Sequence, residues 1–229
     1  MHALIELFSA VSLGLTLMLP LANPLTSMTL LLSMGHLLPP AERNRQITQA
    51  AVYVVLIMLV TYFAGQWVMR SFGISIPGLR IAGGLIVVFI GFTMLFPTQS
   101  TEEMPEAEAN ADALAKRKSV NIAFVPLALP GTAGPGTIAF IISITASVQS
   151  GPPPYSTLTL ILAPIIIFML LGLLFWVCLR SANRIDKLIG EGGVQAIARV
   201  MGFLLVCMGV QFVINGVLDI IHTQGAALP

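Results

Sequence analysis

Long apolar runs separated by short polar stretches dominate this chain. A membrane-spanning helix needs about 20 mostly apolar residues. Six runs reach that length, over residues 5–34, 49–68, 76–96, 122–148, 158–179 and 198–221. The pattern predicts an all-α integral membrane protein with six transmembrane helices. The one long polar connection, "PTQSTEEMPEAEANADALAKRKSV" at 97–120, is rich in Glu and Ala and ends on Lys116, Arg117 and Lys118. It reads as a solvated, partly helical linker. The stretch "QSGPPPYS" reads as a turn before the fifth span. The expected organisation is a first three-helix unit (1–96), an acidic linker (97–120) and a second three-helix unit (121–229).

Two of the six runs interrupt themselves. The first carries "LPLANPLT" at 19–26, and the fourth carries "LPGTAGPGT" at 129–137. Proline removes a helical donor and clashes with the preceding turn, and it biases the residue before it away from the α region. The first run has 30 residues, about 45 Å as one straight helix against a hydrocarbon core of about 30 Å. A break near Pro20–Pro24 resolves the mismatch. Pro126, Pro130, Gly131, Gly134, Pro135 and Gly136 repeat the logic in the fourth run. Each break can be a kink, an unwound loop or a re-entrant hairpin.

The two interruptions share an order of features. "NPLT" at 23–26 matches "GPGT" at 134–137, and "GLIVVFIG" at 84–91 matches "GFLLVCMG" at 202–209. A repeat of three spans is odd-numbered, so its second copy enters the membrane upside down. The predicted architecture is two inverted three-helix repeats with broken first and fourth helices, a recurring transporter design. Gly202, Gly209 and Gly216 lie on a seven-residue stripe that Gly84 and Gly91 echo. Small residues on one face let membrane helices approach closely, so packing of the third span on the sixth is the expected role.

Composition sharpens the picture. Hydrophobic residues make up 56% and charged residues 9%, where a soluble domain carries about 25% charged. No polar run is long enough for a separate soluble domain. The net charge of +1 gives no reason to expect a nucleic-acid partner. Nine of the eleven lysines and arginines (Arg43, Arg45, Lys116, Arg117, Lys118, Arg180, Arg184, Lys187 and Arg199) fall by the loops after spans one, three and five. Arg70 and Arg80 lie on the other side. The positive-inside rule puts those loops in the cytoplasm and both termini in the periplasm. The N-terminus lacks a basic leader region, so the first run is expected to be retained. Cys178 and Cys207 sit inside apolar runs and read as small hydrophobes.

Chemistry follows from the breaks. Unwound backbone at membrane depth is tolerated beside protein or a water-filled cavity. Helix N-termini facing a break suit a carboxylate. The carbonyl ends of the preceding half-helices suit an ammonium group or a sodium ion. The candidate substrate-binding set is Asn23, Pro24, Thr26, Thr132, Gly134, Pro135, Gly136 and Thr137. These residues can hold a zwitterion without charged side chains. No deep Asp, Glu or His offers a proton relay, and Glu6 and Asp219 lie near outer ends. Arg80 and Arg199 lie where long side chains snorkel to the interface. Arg80 is read as an interface anchor, with a lipid head group or an anionic substrate as alternatives. "GISIPGLRIAGG" lacks the lysine and the strand of a phosphate loop. The scattered His2, His36 and His222 suggest no metal cluster. No Ser-His-acid set or HExxH appears, so neither enzymatic chemistry nor a cofactor is expected.

Several stretches together carry a family resemblance: "PLANPLT", "AERNRQ", "FGISIPGLRIAGGLIV", "NIAFVPLALPGTAGPGTIA" and "RVMGFLLVCMGVQFVINGV". They cover most of the chain and resemble the MarC family of bacterial inner-membrane proteins. That family has six spans and is similar to the broader LysE-type exporter superfamily. Some members are classed as neutral amino acid transporters. The resemblance implies a multi-pass protein of the bacterial inner (cytoplasmic) membrane that transports small neutral amino acids or similar solutes. Carried over by motif, the family's breaks fall on Pro20, Asn23 and Pro24, and on Pro130, Gly134, Pro135 and Gly136. The expected partners are a small neutral solute, a coupling sodium ion or proton, and the lipid bilayer. Oligomeric state stays open, a homo-oligomer included. The alternatives are a non-transporting membrane component and a channel. Drug efflux, which the family name invites, is disfavoured by a short chain without a deep acidic residue.

Overall fold

The computed structural model describes residues 2–24, 27–28, 31–32, 39–96, 122–128, 132–150 and 155–225. The linker at 97–120 lies outside them. All regular elements among the described residues are helical: α1 (His2–Met18), α2 (Pro40–Ser71), α3 (Ile76–Leu95), a π-helical stretch (Ala123–Ala128), α4 (Pro135–Ser150), α5 (Thr157–Arg180) and α6 (Ala182–Gly225). Among the described residues, four helices are long and apolar enough to cross a bilayer: α2, α3, α5 and the part of α6 from Gly192 to His222. The apolar parts of α1 and α4, Leu4–Met18 and Pro135–Ala146, are shorter. Those two belong to the runs the prolines interrupt.

Local chemistry explains where the long helices start. Pro40 opens α2 at a position where a missing N–H costs nothing. Ser75 caps α3 by accepting a hydrogen bond from the Gly78 N–H at 3.2 Å. Ser156 caps α5 in the same way through Thr159. α6 starts at Ala182, earlier than the apolar run at 198–221. Gly190 breaks its helical dihedrals, with φ 72° and ψ 164°. Glycine takes that positive φ without a Cβ penalty.

The helices pack α2 on α5, α3 on α6, α1 on α5, and α4 on both α2 and α3. The α3–α6 pair is antiparallel and very close. A Cβ on Gly84 would lie 2.6 Å from the Gly209 carbonyl oxygen, and one on Gly209 would lie 2.6 Å from that of Gly84. Gly91 faces the Gly202 carbonyl at 2.7 Å, and Gly216 faces that of Pro77 at 2.9 Å. The seven-residue spacing returns a glycine to the seam about every second turn, the condition for a long contact between helices that wind gently around each other.

α5 carries Pro164 in its interior. Its missing N–H leaves the carbonyl four residues back without a helical donor. That carbonyl belongs to Leu160, and the Tyr62 hydroxyl from α2 donates to it at 3.0 Å. Large apolar side chains, including Phe8, Trp67, Phe89 and Leu173, stay exposed on the outside. Lipid is the solvent that such a surface fits. The interior holds Met28, Leu31, Ile47, Met58, Leu127 and Phe175, together with buried Ser27, Thr132, Thr145 and Thr159.

Candidate functional site

The first interruption begins where α1 ends. The Leu19 N–H still reaches the Leu15 carbonyl (2.9 Å), and the Ala22 N–H reaches that of Met18 (2.8 Å). Asn23 then leaves the helix, and Pro24 opens the next helical stretch. In the second interruption the chain first widens into a π-helical turn. Leu127 and Ala133 donate five residues back, to Ile122 (3.2 Å) and Ala128 (2.9 Å). Gly134 is non-helical, Pro135 opens α4, and the Ile138 N–H donates to Gly134 at 3.0 Å. Both breaks therefore end in a small or capping residue followed by proline in the first helical position, the favoured helix start.

The fold brings the two breaks together. The Ser27 hydroxyl donates to the Leu127 carbonyl at 2.9 Å and lies 3.4 Å from the Thr132 hydroxyl. The Thr137 hydroxyl donates to the Thr132 carbonyl at 2.9 Å. Beside these contacts is a cavity of about 90 Å³, bounded by Leu21, Asn23, Thr132, Gly134, Gly136 and Thr137 of the breaks. Val87, Ile90, Thr93 and Met94 of α3 and Leu205 of α6 complete it. One water needs roughly 10–15 Å³ by such a measure, so a small solute of several heavy atoms fits. None of the described lining residues is charged. Asn23 and Thr137 are each only 4% exposed. The first N–H groups of α4 have no acceptor within their own helix, and Gly136 and Thr137 present that end to the cavity.

Of the sequence-predicted residues, Asn23, Thr132, Gly134, Gly136 and Thr137 meet at this cavity. Pro24 and Pro135 start the helices that follow the breaks and are not among the lining residues. Thr26 lies outside the described residues. The glycines Gly84, Gly91, Gly202, Gly209 and Gly216 are not among the lining residues and lie in the α3–α6 seam.

Sequence reasoning missed three polar residues. Ser27 directly follows the first motif, but its partner Leu127 lies 100 residues away. Thr93 interrupts an apolar span. Gln46, 3% exposed, accepts the Ile122 N–H at 2.9 Å and so holds the start of the second break against α2. Arg80, read as an interface anchor, has protein partners that the reading did not include. Its guanidinium pairs with Asp219, its Nε donates to Ser143 at 2.8 Å, and its side chain is only 14% exposed.

A family model for the MarC family of integral membrane proteins matches residues 8–221. The chain is 57% identical to the inner membrane protein MarC of Salmonella typhimurium, over 96% of this chain and 99% of that one. It is 56% identical to the proteins of the same name from Citrobacter koseri and Escherichia coli, with the same coverage. No solved structure matches it. The match runs through both interrupted helices and the glycine seam, and the chain belongs to the MarC family of integral membrane proteins.

Proposed function

We propose that this chain is an inner-membrane secondary transporter for small, neutral, zwitterionic solutes, with small amino acids as the leading class. The observation that carries this reading is the meeting of two interrupted helices at one uncharged cavity, largely apolar but with Asn23, Thr93, Thr132 and Thr137 on its wall. Free helix-end N–H groups suit a carboxylate, and carbonyls and hydroxyls suit an ammonium group. Neither end of the solute then needs a charged side chain, whose burial in a bilayer is costly. In proteoliposomes, labelled alanine, glycine or serine is expected to move across the membrane, and an imposed sodium or proton gradient is expected to drive it uphill. Absence of flux across a broad panel of neutral solutes, with folded protein, overturns the reading. Single-channel currents in its place identify a channel.

The transporter is built, on this reading, as two inverted three-helix repeats. The helix pairing supports it. Exchanging the repeats turns the contact of α1 with α5 into that of the second break and α4 with α2. It also turns Gly84 against Gly209 into Gly202 against Gly91. The basic loops then face the cytoplasm and both termini the periplasm. A phosphatase fused to the C-terminus is expected to be active, as only periplasmic fusions are. A cytoplasmic C-terminus reverses the orientation.

A further inference from the structure

We infer that Arg80, Asp219 and Ser143 form a latch that closes the solute cavity on the side where α3 begins. This latch presupposes the transport reading of the cavity. Its basis is the layering of three helices away from the site. On α6, Leu205 lines the cavity, Phe212 stacks on Phe140 of α4 with centroids 4.9 Å apart, and Asp219 pairs with Arg80. These positions are seven residues apart, so one stripe of α6 runs through all three layers.

α3 and α4 repeat the same order. On α3, Val87, Ile90, Thr93 and Met94 line the cavity, Gly83 follows, and Arg80 lies in the first helical turns. On α4, Gly136 and Thr137 line the cavity, Ala139 and Phe140 follow, and Ser143 comes last. The middle layer is tight: a Cβ on Gly83 would lie 2.4 Å from that of Ala139. Between the cavity and the Ile76 end of α3 stand an apolar plug and then a polar clasp. Toward the Leu95 end the cavity instead reaches Thr93, which is exposed.

The clasp joins elements that are otherwise held differently. α3 and α6 are already locked by their glycine seam, whereas α4 follows the second break and leads directly out of the site. Arg80 touches both Asp219 on α6 and Ser143 on α4. A single guanidinium, with donors fixed in a plane, thus ties α4 to the α3–α6 pair. Admitting solute from the Ile76 end requires α4 to separate from Arg80 and the Phe140–Phe212 stack to part. The charges stay paired between α3 and α6 during that step, so no lone charge is left at membrane depth.

Accessibility labelling tests this without any solute, so absent flux does not prejudge it. Cys178→Ala and Cys207→Ser give a cysteine-free background, and Thr137→Cys places one probe in the cavity. A membrane-impermeant maleimide is expected to react from the Leu95 side of α3 and hardly at all from the Ile76 side. Arg80→Gln or Asp219→Asn is expected to raise the Ile76-side rate about tenfold, within the usual range of conformational couplings. Equal labelling from both sides of the parent, or unchanged protection in folded Arg80→Gln, overturns the latch. If the charge variants fail to fold, Ser143→Ala decides: it removes the Arg80–Ser143 hydrogen bond while keeping the Arg80–Asp219 pair, and unchanged protection overturns the latch equally.

Discussion

Thr137→Val is expected to cut solute flux at least about tenfold while leaving the protein folded, and Asn23→Leu to do the same. Valine has nearly the shape of threonine, so the 4%-exposed pocket around residue 137 stays filled. What disappears is the hydroxyl that donates to the Thr132 carbonyl at 2.9 Å. That carbonyl belongs to the second break, and the hydroxyl of the same Thr132 lies 3.4 Å from that of Ser27. Leaving a buried acceptor unpaired costs about 1–3 kcal/mol. Part of that cost appears as a lower melting temperature and the rest as a reorganised cavity wall. Flux is expected to drop at least about tenfold, the factor that 1.4 kcal/mol represents. Thr137→Ser keeps the hydroxyl and is expected to keep most of the flux. Asn23→Leu replaces a lining amide by an apolar side chain of similar size, which removes a polar contact for the solute without opening a void. Proteoliposome flux and melting curves on the same preparations separate the two effects. Wild-type flux in both variants removes these residues from the site.

The breaks themselves were legible because proline and glycine act locally. Pro24 and Pro135 declare a helix start wherever they stand, and Asn23 and Gly134 before them cannot continue the preceding helix. Two copies of that grammar in one chain were enough to name most of the cavity's polar wall. The rest depended on contacts between distant positions. Ser27 meets Leu127 across 100 residues, and Gln46 meets Ile122 across 76. Nothing near Ser27 or Gln46 marks either as a partner. The apolar walls from α3 and α6 were hidden for a different reason. In an apolar span, Val87 and Leu205 look like the lipid-facing residues beside them, because lipid and a protein interior favour the same side chains.

Arg80 illustrates the limit most clearly. A lone arginine near a span end has a sufficient local explanation in snorkelling. Its structural partner, Asp219, lies 139 residues away and carries no mark of its own. Pro164 is a partial case. Its position announces an unpaired carbonyl at Leu160, but only the packing of α2 on α5 identifies Tyr62 as the donor that satisfies it.

Gly209→Val is expected to be the most destabilising single substitution in the α3–α6 seam. The added Cβ would stand 2.6 Å from the Gly84 carbonyl oxygen and 2.7 Å from the Val88 side chain. The first obstacle is backbone, which cannot rotate aside as a flexible side chain can. The two helices must therefore separate, and the contacts on either side, Gly91 with Gly202 and Gly216 with Pro77, lose their register together. Overpacking of this kind costs about 1–3 kcal/mol at a site that can relax, and this seam has little room to do so. Loss of folded protein, or a melting temperature lower by several degrees, is the expected reading in detergent. Gly192 supplies the control on the same helix. A Cβ there meets nothing within 4 Å, and a helical Gly→Ala change removes backbone freedom from the unfolded chain. Gly192→Ala is therefore expected to melt at or slightly above the wild-type temperature. If Gly209→Val melts with Gly192→Ala, the helices are not in contact at the glycines. If only Gly209→Val falls, the seam is the rigid body against which α4 and the two breaks are held. The same variant should then also disturb the cavity, because Leu205 lies one helical turn from Gly209 along α6.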